Sequence, residues 1–87
     1  MKIKDGFILR DIASQTMVVA IGEQSKAFNG LIKLNSTGKF LWQKLQSDTD
    51  KDELVKAMTA EYDIDSATAQ KDVEAFIETL RGADLLA

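Results

Sequence analysis

The chain contains no cysteine and no histidine. Without cysteine it has no disulfide staple, thiolate zinc site, iron–sulfur cluster or cysteine nucleophile; without histidine it lacks the commonest general base and metal ligand. No apolar run approaches the roughly 20 residues that a membrane-spanning helix needs. The first ten residues, MKIKDGFILR, have neither the apolar stretch nor the small-residue cleavage site of a signal peptide. These absences point to a cytoplasmic protein that is not an enzyme, uses no cofactor or metal, and has no membrane partner.

The chain has 87 residues, of which 45% are hydrophobic and 29% charged. That composition suits one globular domain, 1–87, with one modest core and no second lobe to close a deep cleft. The formal net charge is −3, but its distribution says more. Residues 1–47 carry Lys2, Lys4, Arg10, Lys26, Lys33, Lys39 and Lys44 against Asp5, Asp11 and Glu23, a balance of +4, whereas residues 48–87 hold four basic and eleven acidic side chains, a balance of −7. The domain is electrically two-sided.

Residues 6–13 (GFILRDIA) and 16–21 (TMVVAI) are strand-length, apolar and β-branched, with Ser14-Gln15 between them, the pattern of a hairpin. A polar loop over 23–29 closes on Asn29-Gly30, a dipeptide suited to left-handed turns, and Leu31, Ile32, Lys33 and Leu34 make a short third strand. The period then changes. Asn35 or Ser36 caps a helix with Thr37, Leu41 and Leu45 on one face and Phe40 and Trp42 on its flanks. Asp50 and Glu53 resemble a capping box ahead of a second helix with a Leu54, Val55, Met58, Tyr62 stripe. Asp65 or Ser66 caps the longest helix, where Ala69, Val73, Phe76 and Leu80 share an arc, Ile77 sits at its edge and Gly82 is the stop. The expected class is α+β, a three-stranded antiparallel sheet followed by three helices, with Leu85-Leu86 tucked back beneath the sheet.

Several chemistries compete with simpler readings. The carboxylates at Asp50, Asp52, Glu53, Asp63 and Asp65 lie at helix starts, where free N–H groups and the macrodipole favour them anyway, and no EF-hand spacing is present. Asp65-Ser66-Ala67 resembles the phosphopantetheine attachment site of acyl carrier proteins, but those are all-helical and this chain opens with strands. Phe40, Tyr62 and Phe76 fall on or beside apolar stripes, which suits core packing better than base stacking; Trp42 is open to either use. Three helices beside a small sheet also suit a winged-helix DNA-binding regulator. Its third helix, however, would carry Asp65, Asp72, Glu74 and Glu78 against Lys71 and Arg81, a poor approach to phosphate, so nucleic acid is not the expected partner. What remains is the strand 31–34. An exposed edge either is blunted by charge, as Lys33 would do, or accepts a peptide as one more strand, and the residues alone leave both open.

The ordered set Leu34-Asn35-Ser36-Thr37-Gly38, Phe40-Leu41-Trp42, Glu53-Leu54-Val55, Ala60-Glu61-Tyr62-Asp63-Ile64-Asp65, Asp72-Val73, Phe76-Ile77, Leu80 and Leu85-Leu86 resembles the PqqD-like family. These proteins are also called RiPP recognition elements: they bind leader peptides of ribosomally made, post-translationally modified peptides. The likeness covers nearly the whole chain. It implies a winged-helix-like fold in which a leader peptide pairs with the third strand, packs into the groove beside the third helix and is delivered to a tailoring enzyme, a radical SAM enzyme, cyclase or dehydratase. Carried over, binding falls on Leu31, Ile32, Lys33 and Leu34 and on groove positions among Ala69, Asp72, Val73, Phe76 and Ile77. The protein itself is expected as a monomer or a homodimer. Two positions depart from the family pattern: Asp84 stands where glycine is expected before the final leucines, and Ser14-Gln15 supplies no glycine to the hairpin turn.

Overall fold

The computed structural model describes residues 1–22 and 32–87. Strands β1 (Phe7–Ile12), β2 (Gln15–Ala20) and β3 (Ile32–Leu34) precede helices α1 (Ser36–Lys44), α2 (Lys51–Glu61) and α3 (Ser66–Gly82). The sheet is antiparallel in the order β1-β2-β3, which gives the α+β, winged-helix-like arrangement read from the sequence and leaves β3 at an edge. The polar loop and the Asn29-Gly30 turn lie outside the described residues, as does Leu31. Among the described residues no helix is long and apolar enough to cross a membrane.

Register follows from one buried face. The pairs Phe7↔Ala20, Leu9↔Val18 and Val18↔Ile32 stack Phe7, Leu9, Val18, Ala20 and Ile32 against the helices. A one-residue slip would turn all of them to the opposite face. That constraint corrects the hairpin turn expected at Ser14-Gln15: Ile12 pairs with Gln15, so the two-residue turn is Ala13-Ser14, with φ of 51° and 68°. Both positive angles suit the primed turns that match strand twist. Holding non-glycine residues there costs on the order of 1 kcal/mol each, less than exposing the sheet's apolar face.

Each helix begins on an expected cap. The side chains of Asn35, Asp50 and Asp65 accept the backbone N–H of Gly38, Glu53 and Thr68 at 2.8, 2.8 and 2.7 Å. The end of α3 differs from expectation. Gly82 is the helix's last residue, and the left-handed position falls on Asp84, with φ of 59°. The Asp84 N–H donates to the Arg81 carbonyl at 3.0 Å and the Leu85 N–H to the Leu80 carbonyl at 2.9 Å, the two bonds of a Schellman motif whose apolar contact joins Leu80 and Leu85, both fully buried. The chain then bridges Leu86 to Ile3, and the Lys4 N–H donates to the Leu85 carbonyl at 2.8 Å.

The core gathers Leu41, Trp42 and Leu45 from α1, Leu54 and Met58 from α2, and Ala69, Val73, Ile77 and Leu80 from α3, under Phe7 and Val18 of the sheet. Trp42 is 3% exposed, so its indole serves packing. Gly38 is buried where α1 meets β3 and α3: a Cβ there would lie 3.2 Å from Asn35 Oδ1 and 3.4 Å from both Leu34 Cβ and Phe76 Cε1.

Candidate functional site

The edge of β3 and one flank of α3 form the two walls of an open groove of about 710 Å³. Ile32, Lys33 and Leu34 supply the strand wall, and Asp72, Ala75, Phe76 and Thr79 the helix wall. Leu41, which is buried, together with Asn35, Thr37 and Gly38 and with Ser14 and Gln15 of the hairpin, completes the lining. The volume falls within the roughly 300–1,000 Å³ of ordinary ligand clefts. The lining is amphipathic: Ile32, Leu34 and Phe76 are partly buried and pack on the core, alongside polar Gln15, Asn35, Thr37, Asp72 and Thr79. Strand alternation puts Ile32 and Leu34 on the helix side and exposed Lys33 on the other.

Asn35 is fixed by its cap. Its Oδ1 accepts from the Gly38 N–H at 2.8 Å and from the Thr37 hydroxyl at 2.9 Å, so this part of the lining is already bonded internally. Asp72 differs. The other acids along α3 have cations: Glu74 pairs with Lys51, and Glu78 with Arg81 at 2.8 Å. Asp72 is exposed and has no ion pair among the described residues. No group of three or more His, Cys, Asp or Glu among the described residues is arranged to hold a metal ion.

Of the five helix positions expected along the groove, two line it and three lie elsewhere. Asp72 and Phe76 do line the groove, but Ala69 and Val73 are fully buried beneath it, and Ile77, 6% exposed, borders a second cleft with Lys51, Glu74, Glu78 and Arg81. The reason is rotational. At 100° per residue, Ala69, Val73, Ile77 and Leu80 centre on the core, while Asp72, Ala75, Phe76 and Thr79 centre about 100° around the helix. Ala75 and Thr79 were missed because they are neither apolar enough nor charged enough to stand out. The signal that would find them is the i, i+3, i+4, i+7 stripe that starts at Asp72.

The family model for Coenzyme PQQ synthesis protein D (PqqD) matches residues 9–86. The chain belongs to the PqqD family. Solved structures agree with that placement. The PqqD-family chain is 26% identical to a protein solved as TbiB1 in complex with the TbiA(beta) leader peptide, covering 99% of this chain and 94% of that one, with a TM-score of 0.76. It also shares its fold with a lasso peptide synthetase B1 complexed with the leader peptide, at 15% identity, 93% and 89% coverage and a TM-score of 0.72. No curated protein matches the chain.

Proposed function

We propose that this PqqD-family chain binds the leader peptide of a ribosomally synthesised, post-translationally modified precursor by adding it as a strand to β3, and presents it to a modifying enzyme. The observation that carries the reading is the coincidence of an edge strand with a partly apolar groove along α3. Strand addition uses both: main-chain bonds to the edge, and alternate side chains into the groove. The TbiB1 structure, a complex with a leader peptide, supports the assignment.

Magnitudes assign the two contributions different roles. A three-residue edge offers only the outward N–H and C=O groups of one or two residues, and each bond is worth a net 0.5–1.5 kcal/mol or so. Association costs at least about 4 kcal/mol. The backbone ladder therefore sets register, and affinity comes from two or three apolar leader side chains entering the groove, at about 1.5–3 kcal/mol each. No bond is made or broken in this role: the domain works by binding alone, in the cytoplasm, and the chemistry belongs to its tailoring-enzyme partner. DNA binding fits poorly, because the exposed surface of α3 carries Asp72, Glu74 and Glu78 and repels phosphate.

The test is an amide chemical-shift titration of the labelled chain with synthetic N-terminal segments of candidate precursor peptides, the TbiA(beta) leader peptide among them. Saturable shifts are expected at 32–34 and along 72–79. Shifts confined to α2, or none at all, reject the proposal.

A further inference from the structure

Two charged residues line the groove, Lys33 and Asp72, and neither has an ion pair among the described residues. On its strand wall Lys33 points away from the helix, as alternation with partly buried Ile32 and Leu34 requires. Lys39, next to Gly38 of the groove in sequence but not part of its lining, is held by Asp11 at 3.7 Å. On α3 the acids that have cations, Glu74 and Glu78, lie off the groove, whereas Asp72 lines it unpaired among the described residues. Phe76, one turn further along, presents a partly buried ring to the same groove. Helix residues i and i+4 are about 6 Å apart along the axis, close to the roughly 6.7 Å between alternate side chains of a strand. Consecutive helix-facing side chains of an added strand therefore meet the Asp72 carboxylate and the Phe76 ring.

We infer that Asp72 is a specificity-determining residue, which selects leader strands carrying a lysine or arginine two positions from an apolar anchor. The inference rests on the proposed leader-binding function and names the substrate class for that groove. The basic residue answers an isolated carboxylate and the anchor covers Phe76. A leader with an acidic residue at the same place is rejected, since like charges would face each other across a partly dry groove.

The probe is a display library of fully randomised short peptides, selected against the wild-type chain, Asp72→Lys and Glu78→Lys. Both substitutions reverse an exposed helix charge, so the variants fold alike and carry the same net charge; only Asp72 lines the groove. Wild type and Glu78→Lys are expected to enrich Lys or Arg two positions from an aromatic or aliphatic residue. Asp72→Lys is expected to lose that preference and to enrich Asp or Glu there. For a single selected peptide, Asp72→Lys should weaken binding about tenfold, because an exposed attraction worth a few-fold becomes a repulsion of similar size, and exchanging the peptide's basic residue for Glu should restore it. Binders without a basic preference, or the same preference in all three proteins, overturn the inference and leave strand binding standing. Failure of all three proteins to enrich any peptide overturns the leader-binding reading and the inference with it.

Discussion

Proline substitutions in β3 separate the edge's structural role from its binding role. In an antiparallel pair, opposed residues alternate between exchanging both main-chain bonds and exchanging none. Across Thr16↔Leu34, Met17↔Lys33 and Val18↔Ile32, Lys33 and Ile32 therefore fall in opposite classes: one turns its N–H to β2 and the other turns it to the open edge. Proline at the inward position deletes a ladder bond and leaves a carbonyl unanswered, at a cost of about 3 kcal/mol, which lowers the melting temperature of a domain this size by about 10–20 °C. Proline at the outward position spares the ladder. It removes one bond to the leader and places its ring in the path of the incoming strand, so affinity falls about tenfold while melting stays within a few degrees. The two-residue Ala13-Ser14 turn makes Ile12↔Gln15 a bonded pair, so by alternation Met17 turns its main-chain groups to β1 and Lys33 opposite it turns its own to the open edge. Lys33→Pro is therefore the variant expected to stay folded. Ile32→Ala and Lys33→Ala correct for side-chain loss. Thermal melting and leader calorimetry on all four provide the comparison. A folded proline variant with wild-type affinity would mean that the leader does not pair with this edge.

Asp84→Gly relieves the left-handed strain at the end of α3 and should raise stability by about 1 kcal/mol in chemical denaturation, because the Lys4–Asp84 pair it sacrifices involves an 87% exposed carboxylate and is worth little. Ala13→Asn combined with Ser14→Gly does the same for the hairpin turn and should raise the melting temperature by several degrees. Leu80→Ala empties a fully buried site and should cost about 2–5 kcal/mol, measured by urea titration. The Thr16 hydroxyl and Lys39 lower the Asp11 pKa, the chain's amino terminus that of Asp48, and the Thr68 N–H that of Asp65. These carboxylates therefore stabilise the fold above their ordinary value of 3.8 and lose that contribution as pH falls through their lower folded values. Melting should be flat from neutrality to about pH 5 and drop below 3.8, and Asp65→Asn should flatten that drop.

The strands, the three caps and the helix order were legible because each rests on local chemistry: an oxygen three residues ahead of an N–H, or apolar side chains at a fixed period. The misplaced features rest on tertiary demands. Ala13-Ser14 adopts a turn that its residues disfavour, because the pairing of Phe7, Leu9 and Val18 sets the register. Asp84 takes the glycine-like position because the contact between Leu80 and Leu85 sets where α3 ends. The groove was legible by half for a related reason. Hydrophobic periodicity finds the stripe of a helix that faces the core, and in α3 it placed Ala69, Val73, Phe76 and Leu80 on that stripe with Ile77 at its edge, whereas the structure buries Ile77 with Ala69, Val73 and Leu80 and leaves Phe76 half-buried on the groove. The groove-lining flank is a different stripe, and nothing in the period says whether it lies clockwise or anticlockwise of the core. Asp72, Ala75, Phe76 and Thr79 on one side are mixed, and Glu74, Glu78 and Arg81 on the other are all charged, but neither composition by itself marks a groove. What separates them is pairing: the second flank closes its charges on Lys51 and on itself, while the first faces the strand edge with a half-buried ring and a carboxylate that has no ion pair among the described residues.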